Sequence, residues 1–141
     1  MTVHLIKLAA GSTGLESTLR WQKTLLQRNK GTALDGKLHH ITRMMPRRVD
    51  DILDGGSLYW VMTGQVLMRQ PIIGIDEIQT DEGRKCCLIF EPDPTLVVPA
   101  LRKPFQGWRY LEPKDAPRDL DGAPDAEDLP IRAELAELGL L

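Results

Sequence analysis

The sequence predicts an α+β domain: a small, mostly antiparallel, partly closed β-barrel flanked by one long N-terminal helix and short helices. Three observations predict it. A single apolar stripe at helical spacing (Leu15, Leu19 and Leu26, with Trp21 and Leu25 beside it) lies near the N-terminus. After residue 57 the apolar runs are short and follow one another without helical patterns between them, which speaks against a βαβ parallel sheet. Turn residues separate those runs, at Gly64 or Gln65, at Gly83 and at Glu91-Pro92-Asp93-Pro94.

Taken in order, residues 3–8 are mostly apolar on both alternating faces, which suits a strand covered on each side. Gly11-Ser12 breaks it. Thr13 as N-cap and Glu16 three residues later predict a capping box opening a helix over 14–28. Asn29-Lys30-Gly31 closes that helix, and residues 31–37 read as a loop. Residues 38–44 read as a strand. Pro46 is placed to start a short helix carrying Val49, Ile52 and Leu53 inward, and Gly55-Gly56 ends it. Residues 57–63 and 66–79 read as strands, the second holding Pro71, which demands an edge, a bulge or a break. Gly83 supplies the positive φ of the turn at 80–84, and residues 85–90 return as a strand. Residues 95–99 and 108–111 are further short strands. Residues 112–130, rich in Pro, Asp and Gly, read as extended and mobile, and residues 131–138 as a closing helix with Leu135 and Leu138 on one side.

The length of 141 residues fits one domain. Residues 1–111 form the expected core domain and 112–141 an acidic, Pro-rich extension. The formal net charge of −2 hides an asymmetry: residues 1–111 carry fifteen Lys/Arg against eleven Asp/Glu, whereas 112–141 carry three against nine. The pI near 5.9 is not that of a protein committed to nucleic acid by charge alone. Cys86 and Cys87 are the only cysteines; adjacent strand residues point apart, so both are expected as reduced thiols in a cytoplasmic protein. Residues 1–10 lack the pattern of a signal peptide, and no apolar run reaches the roughly 20 residues of a membrane span.

Four blocks, Val3-His4-Leu5-Ile6-Lys7-Leu8, Asp54-Gly55-Gly56-Ser57-Leu58-Tyr59-Trp60-Val61, Pro104-Phe105-Gln106-Gly107-Trp108-Arg109-Tyr110-Leu111 and Asp115-Ala116-Pro117-Arg118-Asp119-Leu120, occur in an order and spacing that resemble an uncharacterised bacterial family of about this length, a domain of unknown function. The short helix ending in Gly-Gly, the Tyr-Trp strand and the strand reaching Gly74-Ile75-Asp76-Glu77-Ile78 are more weakly similar to PUA-like barrels, including ASCH and EVE domains. That likeness implies an RNA or modified-base cleft. The ASCH hallmark Gly-x-Lys-x-x-Glu-x-Arg is absent, since Ser57-Leu58-Tyr59 follows Gly56.

Two segments carry the candidate chemistry. His39 and His40 with Arg43, Arg47 and Arg48 form the densest basic block, and arginine forks match phosphate oxygens; the bland alternative pairs those arginines with Asp50, Asp51 and Asp54. Trp108 and Tyr110, with Tyr59, offer rings for stacking, and Gln106 and Arg109 would orient a ligand. The expected function is an RNA- or nucleotide-binding module whose basic and aromatic segments share one cleft. The alternative is an interaction or assembly domain using residues 66–79 as an edge strand and the acidic tail, with a protein partner or a second copy. His39 or His40 as a general base would make a small hydrolase, but no second catalytic group stands at a readable spacing. No catalytic residue, metal site or cofactor is expected: the histidines and cysteines lack close-spaced ligand pairs.

Overall fold

The structure, a computed structural model, describes residues 1–120 of the chain. The expected helix over 131–138 and the stretch 121–130 lie outside the described residues. Seven strands are joined in one sheet: β1 (His4–Leu8), β2 (Leu38–Thr42), β3 (Ser57–Met62), β4 (Gln65–Thr80), β5 (Gly83–Phe90), β6 (Thr95–Leu101) and β7 (Trp108–Leu111). Two helices, α1 (Leu15–Asn29) and α2 (Val49–Leu53), fall between β1 and β3. The sheet runs β2-β5-β4-β3-β1-β7, with β6 also on β4. Only β1 and β3 are parallel, Leu5 opposite Leu58; every other pairing is antiparallel.

The domain is thus α+β and mostly sheet, as the sequence predicts, but the seven-stranded sheet is not closed and the expected partly closed barrel is not what it forms. The end strands β2 and β7 do not pair. Side chains of β7 cross that seam instead. Trp108 Nε1 donates to the Met44 carbonyl at 2.8 Å, and the Tyr110 hydroxyl accepts from the Arg47 and Arg48 amides at 2.9 and 3.1 Å. Those amides are held by Tyr110, and the helix expected from Pro46 starts only at Val49. Of its three expected inward residues, Ile52 is fully buried, Val49 is partly buried, and Leu53 is exposed: five residues offer a single inward face.

β4 is the hub. Its residues 65–69 lie between β3 and β6, so this half is interior rather than the edge the sequence suggests. Pro71, which has no N–H to give, stands where the β3 pairing ends and the β5 pairing begins, followed by a register shift between Ile72 and Gly74. Residues 72–80 pair with β5 alone among the described strands. The β3–β4 hairpin is a two-residue turn with both φ values positive, 47° at Thr63 and 84° at Gly64. Gly56 is wedged between the carbonyls of Val3 and Ile52, where no Cβ fits.

The capping box is replaced by a different device. Gly14 occupies the N-cap and makes no side-chain bond, while Ser17, not Glu16, reaches back: its Oγ accepts from the Thr13 amide at 2.9 Å. The hydroxyl suits this tight approach better than the longer Glu16, which pairs with Arg20 at 3.2 Å on the solvent face. Two cores result. The larger takes Leu5, Leu58, Met62 and Met68 from one part of the sheet, Leu38, Leu88 and Phe90 from the other, and Leu15 and Ile52 from the helices. The smaller lies on the opposite face of β1 and β3, around Ile6, Tyr59, Val61, Val97 and Leu111. Residues 113–120, expected as mobile, are bonded onto that side: a 3₁₀ turn (Pro113–Asp115) leads to a bridge between Asp119 and Val97, and the Leu120 amide donates to Leu96 at 2.9 Å.

Candidate ligand cleft

Between the first turns of α1 and strand β2 lies a cleft of about 330 Å³. Its lining includes Ser12, Trp21, Gln22, His39, His40 and Trp60, and holds no carboxylate. The floor follows from two polar residues in apolar phase. Gln22 falls on the inward stripe of α1, four residues after Thr18, and Gln70 falls between Met68 and Ile72 on the core side of β4. A fully buried amide must find partners. The two amides bond each other reciprocally, at 2.9 and 2.8 Å, and Gln70 Oε1 also accepts from Trp60 Nε1 at 2.9 Å. Gln70 Nε2 reaches the Pro92 carbonyl as well. The indole of Trp60 is thereby fixed in its plane.

His40 stands edge-on to that indole, centroids 5.6 Å apart and planes perpendicular. Burial, then the charges of Lys7 and His39, bring its pKa down to about 4, so the ring is a neutral imidazole. No hydrogen bond engages its nitrogens among the described residues. His39 is tied down: its Nδ1 lies 3.2 Å from Asn29 Nδ2, which also donates to the Lys37 carbonyl. When Asn29 donates, His39 carries its proton on Nε2. At the rim, Trp21 is 53% exposed, with the Arg28 guanidinium 5.1 Å from its ring centre. Ser12 and Thr18 hydroxyls bond each other at 2.6 Å.

Of the residues singled out from sequence, His39 and His40 line this cleft. Arg43 and Arg47 follow β2 as exposed guanidiniums in no ion pair among the described residues. Arg48 is engaged: it pairs with Asp51 at 3.0 Å and Glu112 at 2.9 Å and lies 5.6 Å over the Tyr110 ring. Trp108 and Tyr110, edge to face at 5.0 Å, clamp the 44–48 backbone and are not in the lining. Arg109 points to the other face of β7, where it and Arg102 stack on Phe105. Gln106 is exposed in the turn before Gly107. Tyr59 faces the smaller core. The two segments do meet in space, but Trp108 and Tyr110 bond the 44–48 backbone and do not line the cleft. Trp21 and Gln22 in the lining, and Gln70 beneath it, are not among the residues the sequence singles out. A signal exists for Gln70, a polar residue at an inward phase of β4 between Met68 and Ile72; Gln22 shares the buried face of α1 with Thr18 and Asn29, so polarity alone does not mark it.

A shallower depression opens on the opposite face beside His4, Tyr59, Arg69 and Asp119. Arg69 forks onto Asp119 with two bonds of 2.7 Å, which holds the Asp119 carboxyl below its ordinary pKa. His4 Nδ1 accepts from the Ser57 amide at 2.9 Å, and burial lowers its pKa. Cys86 and Cys87 are buried and free, and burial pushes the Cys86 thiol up to about 11. No helix among the described residues is long and apolar enough to cross a membrane.

Residues 5–141 match the family described as protein of unknown function (DUF1489), and the chain belongs to that family. This agrees with the resemblance carried by the four sequence blocks. No curated protein and no solved structure matches the chain, so the likeness to PUA-like barrels has no support from comparison.

Proposed function

We propose that the protein is a binding module whose cleft receives a planar, hydrogen-bonding heterocycle of the nucleobase kind, as a nucleotide or as an unstacked base of RNA. One observation carries the reading. His40 stands as a neutral imidazole against the Trp60 indole, with one nitrogen to donate and one to accept, and neither is engaged among the described residues. Around it lie a second indole, Trp21, and no carboxylate to repel an electron-rich or anionic guest. Ligand pockets span roughly 300–1,000 Å³, so this cleft suits one ring system with its sugar rather than an oligomer. An RNA strand would insert a single base and lay its backbone outside, where Arg43 and Arg47 extend from the end of β2.

Fluorescence titration with nucleosides, nucleotides and short single-stranded RNA, followed through Trp21 and Trp60, tests this. Saturable quenching is expected, with His40→Leu weakening it about tenfold. RNA affinity should fall with salt, and Arg43→Ala and Arg47→Ala should each flatten that slope by about one unit. Absence of saturable binding across the three classes removes the reading.

A second reading, an assembly domain, is favoured by one observation: residues 72–80 of β4 pair on one side only among the described strands, and Ile73 is 40% exposed there. Light scattering across concentration, with Ile73→Lys as the control, decides it: a monomer at every concentration ends that reading.

A further inference from the structure

We infer that Lys7 is the anion anchor of this cleft, so that the guest carries a phosphate, or an oxyanion like it, beside its ring. The inference rests on the cleft reading and adds the class of ligand. Four cations among the described residues are partly buried: Lys7, Arg48, Arg69 and Lys85. Three have carboxylates. Arg48 holds Asp51 and Glu112, Arg69 holds Asp119, and Lys85 holds Glu82. Lys7 has neither an ion pair nor a hydrogen bond among the described residues. A cation withdrawn from water without a counter-charge is costly, and proteins ordinarily pair it.

Its position says where the missing charge belongs. On β1, Leu5 and Lys7 point to the larger core, and Ala9, next in the same alternation, lines the cleft. In the sheet Lys7 sits between two indoles, in register with Trp60 on β3 and with Trp108 on β7. Neighbours in such a row lie about 5 Å apart, so the Lys7 stem starts beside Trp60, which lines the cleft, although Lys7 itself is not in the lining. Its charge is felt at His40, where it helps keep the imidazole neutral. Burial in turn weakens the hold of Lys7 on its own proton, as expected of an ammonium lacking an anion. Lys7 is partly buried, and an anion contact made there is stronger than one in open water. An ammonium that merely extends to solvent along its stem would show no preference among guests.

The experiment compares nucleosides, their 5′-monophosphates and inorganic phosphate on the wild-type chain, Lys7→Met and Lys7→Arg. The monophosphates should bind wild type about ten- to a hundredfold more tightly than the nucleosides. Lys7→Met should reduce them to nucleoside affinity and leave the nucleosides unchanged, while Lys7→Arg retains most of the difference. Inorganic phosphate should compete with the monophosphates on wild type, a measurement that needs no variant to fold. Nucleosides and monophosphates binding equally well to wild type overturns the anchor and leaves the ring-binding reading standing. Phosphate binding that requires Lys7, with no nucleoside binding, supports the anchor and ends the ring reading. No binding of any probe overturns both.

Discussion

Gln70→Leu removes the centre of the cleft floor without changing much volume. Gln70 is 0% exposed and makes four bonds, two through Oε1 to Gln22 and Trp60 and two through Nε2 to Gln22 and Pro92. Leucine leaves the Trp60 N–H with no acceptor in a dry site, a loss of about 1–3 kcal/mol. The Gln22 amide loses both partners, but it borders the cleft and can turn to water, so it adds less. The Pro92 carbonyl adds least, since the Gln70 contact is the longest of the four, 3.1 Å. Added apolar burial by leucine offsets a fraction, and the net cost is about 2–3 kcal/mol. Urea unfolding measures it as a lower midpoint at unchanged slope. Gln22→Leu made together with Gln70→Leu deletes both amides, so the double variant should cost about 1 kcal/mol less than the two singles summed. A Gln70→Leu protein within about 0.5 kcal/mol of wild type, or a strictly additive double, would show that the amide pair does not hold the floor.

Tyr110→Phe keeps the ring under Arg48 but releases the Arg47 and Arg48 amides; the expected loss is about 1–2 kcal/mol by thermal or urea unfolding, with faster hydrogen exchange at those two amides. The folded-state pKa of His40 lies below its ordinary value of 6.5, so the unfolded chain takes up the proton first. Its contribution to stability is therefore fully present above about pH 6.5 and is lost as pH falls to about 4; in this partly open cleft the loss is about 1–2 kcal/mol. His40→Leu should flatten unfolding free energy against pH in that window. Cys86 and Cys87 should resist alkylation at pH 8 in the folded protein and react at once in urea, because burial holds both as thiols. Asp119→Ala removes the fork on Arg69 and should open residues 113–120 to limited proteolysis, with a stability loss of about 1 kcal/mol.

Local pattern made the strand and helix series legible. The stripe through Leu15, Leu19 and Leu26 gave α1 to within a residue at each end, and Gly83 gave the β4–β5 hairpin. Long-range pairing was not legible. Nothing local marks β1 as the parallel neighbour of β3, and Pro71 marks a change of partner as readily as an edge. The expected cap differs because Ser17 and Glu16 can both reach back to the Thr13 amide and spacing does not rank them; the shorter hydroxyl takes it. At the site, His39 and His40 were found because they are chemically conspicuous. Gln22 and Gln70 are less legible, because a glutamine gains meaning only when its phase in the element is weighed against its polarity.

The 105–110 block is the richest polar-aromatic stretch in the chain, yet its polar atoms face main chain. An open sheet explains why. With β2 and β7 unpaired, the segment leaving β2 has no strand to hold it, and its amides and carbonyls need partners. Trp108 and Tyr110 supply them across the seam, and Arg48 is anchored by Asp51, Glu112 and the Tyr110 ring. What this leaves unanchored is informative: Arg43 and Arg47, on either side of the clamped Met44 carbonyl, keep their guanidiniums in solvent. Lys7, the proposed anion anchor, stands in register with Trp108, and the same indole holds the Met44 carbonyl at the start of the arginine-bearing segment. Trp108→Phe should thus weaken binding of a phosphate-bearing guest more than that of a bare nucleoside, although the indole touches neither.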